Sequence, residues 1–330
     1  MKKILLVGGA GYIGSVLTEH LLSAGFEVKC FDSLIYSQKN CINNFLERKN
    51  YEFILGDIRN EDEVKKSLRD ISVVIILAGL VGDPITKKYP KQAEDINSKA
   101  IKNLINLCKK VNIDRLVFIS TCSNYGLLKD NELADEDYKL NPLSSYAKHK
   151  VEIENYLMSL KNEVDFSATI LRFATAFGVS PRMRFDLTIN QFTKSVFEKK
   201  LLSIYDPHTW RPYCHVYDFA RLIEKILLIE KEKIYFQIFN GGGNNNNFTK
   251  KTIIDEIIKI IPGGNFVFEK NSTDKRNYKV NFSKVKKILD FDTKYTIQHG
   301  IQEISEMMKS DFFKNQKTDA NKLGNYILSL

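Results

Sequence analysis

Tyr146 and Lys150, four residues apart in Tyr146-Ala147-Lys148-His149-Lys150, are the residue types of a proton-transfer pair. On a helix, positions i and i+4 share a face, so the two groups project together. Pro142 stands where such a helix would begin. A phenol with a pKa near ~10 is a poor base at neutral pH, and a neighbouring ammonium favours its phenolate. Ser120-Thr121 ends an apolar run, and a Thr hydroxyl there can hydrogen-bond the same substrate oxygen that the tyrosine deprotonates.

A second group of residues points to a dinucleotide. Gly8-Gly9-Ala10-Gly11-Tyr12-Ile13-Gly14 follows the run Ile4-Leu5-Leu6-Val7 and precedes an amphipathic stretch bearing Ile13, Val16, Leu17, Leu21 and Ala24, closed by Gly25. Strand, glycine turn and helix form the context in which amides at a helix start cradle a pyrophosphate. Asp32 ends the next run, Val28-Lys29-Cys30-Phe31, where the dinucleotide fold places its acceptor for the ribose 2′-hydroxyl. A carboxylate repels a 2′-phosphate, and Ser33 and Leu34 bring no cation, so NAD is expected rather than NADP.

These residues need a scaffold, and the first half of the chain provides one. Short apolar runs (Phe53-Ile54-Leu55, Val73-Val74-Ile75-Ile76-Leu77, Leu116-Val117-Phe118-Ile119, Ser167-Ala168-Thr169-Ile170-Leu171) alternate with helical segments near 61–69, 95–111 and 143–161. Such alternation predicts an α/β fold, a Rossmann-type doubly wound parallel sheet, with the ligand at the C-terminal ends of its strands. Beyond Thr175 the pattern loosens into mixed short elements. The expected organisation is a cofactor domain over 1–175 and a smaller mixed α/β substrate lobe over 176–330, with segments near 213–240 returning to the first. Gly241 to Asn247, between a strand over 235–239 and a helix over 249–261, reads as a long loop. The polar stretch from Lys314 is expected to fray.

With 330 residues, 43% hydrophobic and 27% charged, the chain has the composition of an ordinary globular protein, too long for one core. No apolar stretch is long enough to span a bilayer, and the chain runs directly into a strand, so neither membrane span nor signal peptide is expected. Five cysteines (Cys30, Cys41, Cys108, Cys122, Cys214) are widely spaced and lack C-x-x-C, so neither a disulfide framework nor a zinc site is expected, and a cytoplasmic enzyme with no metal is. The net charge of +9 comes without a nucleic-acid motif; a phosphorylated small molecule would suffice as its anionic partner.

Glycine turn, Asp32, Thr121, Tyr146 and Lys150 together resemble the extended short-chain dehydrogenase/reductases, the nucleotide-sugar epimerases, dehydratases and reductases. The resemblance covers essentially the whole chain. It implies cofactor contacts from Gly8, Gly11, Tyr12, Ile13, Gly14, Asp32, Asp57 and Ile58 (in Gly56-Asp57-Ile58), and Leu77-Ala78-Gly79, with Tyr146 and Lys150 at the nicotinamide end. Thr121 to Gly126 is similar to the family segment ending in Tyr-Gly, so Thr121, Tyr146 and Lys150 are the implied catalytic residues. Arg172 to Gly178 is similar to the family's Arg-Tyr-Phe-Asn-x-Tyr-Gly, with Thr175 in place of the Asn. Arg211 (in Trp210 to Asp218) and Arg276 (in Asp274-Lys275-Arg276) resemble the arginines that grip the diphosphate, for which a guanidinium fork is suited. Thr121, Ser123, Thr175, Arg182, Arg184 and Asn190 complete the implied sugar-nucleotide contacts. A homodimer through a four-helix bundle of the helices near 97–111 and 143–161 is also implied.

The family's 4,6-dehydratases carry Asp-Glu after the catalytic hydroxyl, whereas this chain has Cys122-Ser123, so dehydration is disfavoured. Cys122 reads as a packing residue; among the histidines, His149, His208 and His215 are candidate proton carriers, His208 foremost. What remains is chemistry at one carbinol. Val81-Gly82-Asp83-Pro84, Ser180 to Phe192 and Asp274-Lys275-Arg276 resemble the branch holding the GDP-heptose C4-dehydrogenases of bacterial capsule synthesis, so a GDP-heptose 4-dehydrogenase is expected, with a nucleotide-sugar 4-epimerase or 4-keto reductase as the alternative. A non-catalytic NAD-sensing or RNA-associated protein is the competing class; such proteins can dispense with the Tyr and Lys kept here.

Overall fold

The computed structural model describes residues 2–129, 132–271, 274–310, 312 and 323–328. Six strands come first: β1 (Lys3–Val7), β2 (Glu27–Asp32), β3 (Tyr51–Leu55), β4 (Val73–Ile76), β5 (Arg115–Thr121) and β6 (Ser167–Phe173). Six more follow: β7 (Thr175–Phe177), β8 (Leu202–Tyr205), β9 (Trp210–His215), β10 (Gln237–Gly241), β11 (Asn247–Thr249) and β12 (Phe266–Glu269). Seven form one parallel sheet in the order β10-β6-β5-β4-β1-β2-β3. Its central strands are apolar on both faces, as a sheet covered by helices on each side requires. Helices Tyr12–Ser23 and Val216–Leu228 pack together on one face, and Ile101–Cys108 and Ser145–Ser159 on the other. The strand order reverses between β1 and β4, which opens a crevice at their C-terminal ends.

The remaining strands belong to two small sheets, β11-β9-β7 and β12-β8. Helices Thr188–Phe197, Lys250–Ile260 and Ile297–Lys309 pack with one another around them. The asparagine run expected as loop is instead a clasp. Asn244 Oδ1 accepts the Phe282 amide at 2.7 Å, and Asn247 bonds the Val280 amide and carbonyl at 2.9 and 3.0 Å. These bonds hold the segment that follows Arg276 and Tyr278 against the turn before β11 and the start of that strand in the small sheet.

Two other departures bear on the site. The segment expected as one helix over 95–111 opens with a π-helical turn, Asp95–Ala100. It turns the buried Asn97 inward, where the side chain bonds both the amide and the carbonyl of Leu80 at 2.7 and 3.0 Å and fixes the loop after β4. Of the polar C-terminal stretch, residues 314–322 lie outside the described residues, but 323–328 are docked. The Leu323 carbonyl accepts from the Phe185 amide at 3.0 Å, Asn325 Nδ2 donates to the Val81 carbonyl at 2.8 Å, and Leu328 is buried. No helix among the described residues is long and apolar enough to cross a membrane.

Candidate active site

Gly8 takes φ +87°, and a Cβ there would lie 2.6 Å from the Ala78 nitrogen, so β1 and the loop after β4 can approach only because it is glycine. A Cβ on Gly14 would meet Gly9 Cα at 2.6 Å; its absence seats the helix Tyr12–Ser23 on β1. That helix starts at Gly11 with no side-chain cap, leaving its first amides directed at the crevice. The crevice is lined by Gly8, Gly11, Tyr12, Ile13, Gly14, Asp32, Asp57, Ile58, Leu77, Ala78 and Gly79. Asp32 accepts from the Ala10 and Leu34 amides at 3.0 and 2.8 Å and from Gln38 at 3.3 Å. Burial raises its carboxyl pKa, against these amides and the charge of Arg182. The Asp57 carboxylate is engaged by Arg59.

Arg182 lines this crevice and not the sugar side, which corrects its expected place. Its guanidinium lies 4.6 Å from the Tyr36 ring centre and donates to the Gly324 carbonyl at 3.2 Å. Burial, with Arg184 nearby, draws its pKa down to about 10. A cation does therefore stand near Asp32, brought by the fold from far along the chain. The Tyr36 hydroxyl and Asn325 Oδ1, both in the crevice wall, are buried polar atoms without a hydrogen-bond partner among the described residues. An uncapped helix start, a glycine cradle and two orphaned polar atoms fit a bound dinucleotide. Asn325→Ala is expected to raise the Kd for NAD roughly tenfold, the loss of one hydrogen bond, as read by calorimetry. An unchanged Kd would show the segment to be a mere cover.

A second cavity of about 290 Å³ adjoins the crevice and shares Ile13, Leu77, Val81 and Arg184 with it. Thr121, Ser123, Tyr146, Lys150, Thr175, Arg184, Arg211 and Arg276 all line it. Thr121 stands at the end of β5, and its hydroxyl caps the following turn through the Ser123 amide at 3.1 Å. Ser144 caps the helix Ser145–Ser159, which presents Tyr146 and Lys150 to the cavity. Asn190, expected there, is fully buried elsewhere: Oδ1 accepts the Gly178 amide at 3.0 Å, and Nδ2 donates to the Tyr12 hydroxyl and the Arg184 carbonyl. None of His149, His208 and His215 lines the cavity. His149 pairs with Glu94, and His208 is exposed. His215 caps a helix through Nδ1, which leaves Nε2 as donor to Glu303 at 2.7 Å. Cys122 is buried, with Sγ donating to the Arg172 carbonyl.

Burial raises the Tyr146 pKa well above its ordinary range; Arg184 opposes this and Asp83 reinforces it. Lys150 Nζ donates to the Ile119 carbonyl at 2.7 Å and lies 5.9 Å from the Tyr146 ring centre, beside the ring rather than on its hydroxyl. Desolvation dominates the phenol, and the cations that oppose it are Arg184 and Arg276 rather than the expected Lys150. Burial also draws Lys150 down to about 8, with Glu154 opposing. An unfolded lysine titrates near 10.5, so the burial penalty is complete below about pH 8 and fades as pH rises toward 10.5. Lys150→Met should therefore have a stability advantage over wild type that shrinks across that window in urea melts. A difference independent of pH would contradict the assignment.

Sequence reasoning missed Asp83, Asp186, Lys250 and Tyr278, which line the same cavity. Arg184 is held by Asp186 at 2.6 and 3.1 Å, and Arg276 by Asp274 at 2.7 and 2.8 Å. Arg211 reaches Asp274 at 3.3 Å and lies 5.1 Å from the Tyr278 ring centre. Tyr278 in turn bonds the Ser123 hydroxyl at 3.3 Å. Paired arginines at one end and a hydroxyl–phenol–ammonium set at the other can hold a diphosphate and move a proton at a carbinol.

Residues 4–242 match the model of the NAD dependent epimerase/dehydratase family. A UDP-glucuronate 4-epimerase of Thermodesulfobacterium geofontis is 28% identical over 323 residues, 94% of this chain and 97% of that protein. A putative UDP-glucose 4-epimerase of Methanocaldococcus jannaschii is 33% identical over 178 residues, 53% of this chain and 56% of that protein's length. Among solved structures, the UDP-glucuronic acid 4-epimerase of Bacillus cereus in complex with UDP-glucuronic acid and NAD superposes with a TM-score of 0.82 at 26% identity, covering 93% of this chain and 99% of that one. With the family match spanning most of its length and the same parallel sheet and glycine crevice, this chain belongs to the NAD-dependent epimerase/dehydratase family of extended short-chain dehydrogenase/reductases.

Proposed function

We propose that this chain is an NAD-dependent 4-epimerase of a nucleotide-diphosphate sugar. The observation that carries the reading is the single cavity in which Thr121, Tyr146 and Lys150 adjoin the glycine crevice. NAD, when bound there, supplies the nicotinamide that takes up and returns a hydride. Thr121 and Tyr146 hold the C4 hydroxyl, and Tyr146, as the phenolate that the positive charge of bound NAD would favour, takes its proton and later gives it back to the oxygen. Lys150 keeps positive charge beside the phenol. Arg211 and Arg276 exchange their contacts with Asp274 for the diphosphate, whose paired oxygens suit their forks. The position after Thr121 offers no acid–base pair for eliminating water, because Cys122 is sealed in the core and Ser123 bonds Tyr278.

The 4-epimerases among the relatives support epimerisation over the GDP-heptose 4-dehydrogenase expected from the sequence; the two share their first half-reaction. Incubating the NAD-loaded protein with UDP-glucose, UDP-glucuronate and GDP-heptose, and following products by NMR and absorbance, separates them. A C4 epimer without net reduced cofactor is the expected result. A keto sugar with accumulating reduced cofactor would make the chain a dehydrogenase, and no change across the panel would overturn both. The homodimer through the helices near 97–111 and 143–161 belongs to the same proposal and is read by light scattering.

A further inference from the structure

Asp83 lies in Val81-Gly82-Asp83-Pro84, in the loop after β4. It opens the short helix Asp83–Lys88, which packs against the helix carrying Tyr146. Its Oδ2 lies 2.9 Å from Arg276 Nη2. Its Oδ1 is buried in the cavity wall without a hydrogen-bond partner among the described residues. A carboxylate oxygen removed from water without a donor is unfavourable, so this one calls for a donor from a ligand.

The charges around it restrict that ligand. The cavity is lined by five cations (Lys150, Arg184, Arg211, Lys250, Arg276) and three carboxylates (Asp83, Asp186, Asp274). The excess of two positive charges matches a diphosphate diester and leaves nothing for a further anion. Each guanidinium already faces a carboxylate: Arg184 faces Asp186, Arg211 faces Asp274, and Arg276 faces Asp274 and Asp83. At the Tyr146 end, Arg184 is paired with Asp186 and the Lys150 ammonium donates to the Ile119 carbonyl, whereas Asp83 brings a charged oxygen that has no partner among the described residues.

We infer that the sugar end of this cavity is built for an uncharged sugar, with Asp83 accepting a hydrogen bond from a sugar hydroxyl and repelling a uronate. This rests on the nucleotide-sugar reading and narrows its substrate class to neutral hexoses or heptoses. It sets this chain apart from the UDP-glucuronate 4-epimerase that it resembles.

The test compares UDP-glucose with UDP-glucuronate on NAD-loaded wild type, Asp83→Asn and Asp83→Glu, by kcat/KM and by calorimetric Kd, with melting curves to verify folding. Wild type should favour UDP-glucose by at least about tenfold, the scale of one hydrogen bond to a charged group. Asp83→Asn should bring the two sugars to within about threefold of each other, and Asp83→Glu, which keeps the charge, should retain the preference. A purely structural role for Asp83 would change both sugars alike and leave the ratio where it was. Equal or better use of UDP-glucuronate by wild type, or an unaltered ratio in Asp83→Asn, overturns the inference and leaves the epimerase reading intact. If neither sugar is turned over, the UDP-sugar form of that reading fails while the Kd ratio still decides the inference. If neither UDP sugar binds, GDP-mannose and GDP-mannuronate are compared in the same way, and binding of none overturns it.

Discussion

Replacing Tyr146 by Phe is expected to lower kcat by about 10²–10⁴ while NAD stays bound, the usual scale for removing a general acid–base group. The separation of effects follows from the geometry. Tyr146 lines the sugar cavity and not the glycine crevice, so most of the dinucleotide's contacts are untouched. The phenol is the one cavity group placed beside Lys150 on the same helix face, and no histidine lines the cavity to replace it. Single-turnover absorbance changes would report the hydride step, and calorimetry the NAD affinity. Wild-type rates in the variant would remove Tyr146 from the chemistry. Thr121→Ala should be milder, roughly tenfold, because it deletes a neutral hydrogen bond rather than the proton carrier.

What the sequence revealed and what it hid divide along a physical line. The glycine turn, Asp32, Tyr146 and Lys150 were legible because each depends on local geometry: a tight turn, a strand end, one helix face. The β1, β4, β5 and β6 runs were legible because strands covered on both faces are mostly apolar. Asp83, Lys250, Tyr278 and Asn325 were not, since each reaches the site only through contacts between distant segments. Arg182 and Arg184 show the limit most clearly. They are two residues apart, yet Arg182 turns to the crevice beside Asp32 and Tyr36 while Arg184 borders both spaces. Asn190 had the chemistry of a substrate contact, but its amide is consumed in tying Tyr12 to Gly178 and Arg184. The asparagine run looked like low complexity because composition does not show that Asn244 and Asn247 bond the Phe282 and Val280 amides far along the chain.

Arg172→Ala is expected to destabilise the protein by about 3–5 kcal/mol, as breaking a buried ion pair on one side does. Arg172 and Glu154 are both buried, joined at 2.7 and 3.0 Å, at the C-terminal end of β6 behind the catalytic strand. Glu154 also accepts from Asn124 at 2.8 Å and from the Ser120 hydroxyl, and Arg172 donates to the Tyr125 hydroxyl and the Glu136 carbonyl, both at 3.1 Å. Tyr125 passes the network on to Asn240 on β10 at 2.7 Å. Removing the guanidinium strands a carboxylate in the core with too few donors, and Ser120, which it holds, directly precedes Thr121. The loss should therefore appear twice: as a lower midpoint in guanidinium melts, and as reduced kcat in the fraction still folded. Glu154→Leu in the Arg172→Met background should recover most of the stability, since replacing both partners by apolar groups removes the uncompensated charge. It should not recover kcat, because an apolar pair leaves Ser120 without its acceptor. If the double variant were as unstable as Arg172→Ala, packing around Arg172 rather than the stranded charge would be the cause. If it were fully active, the network would be structural only, and Thr121 would owe its position to β5 alone.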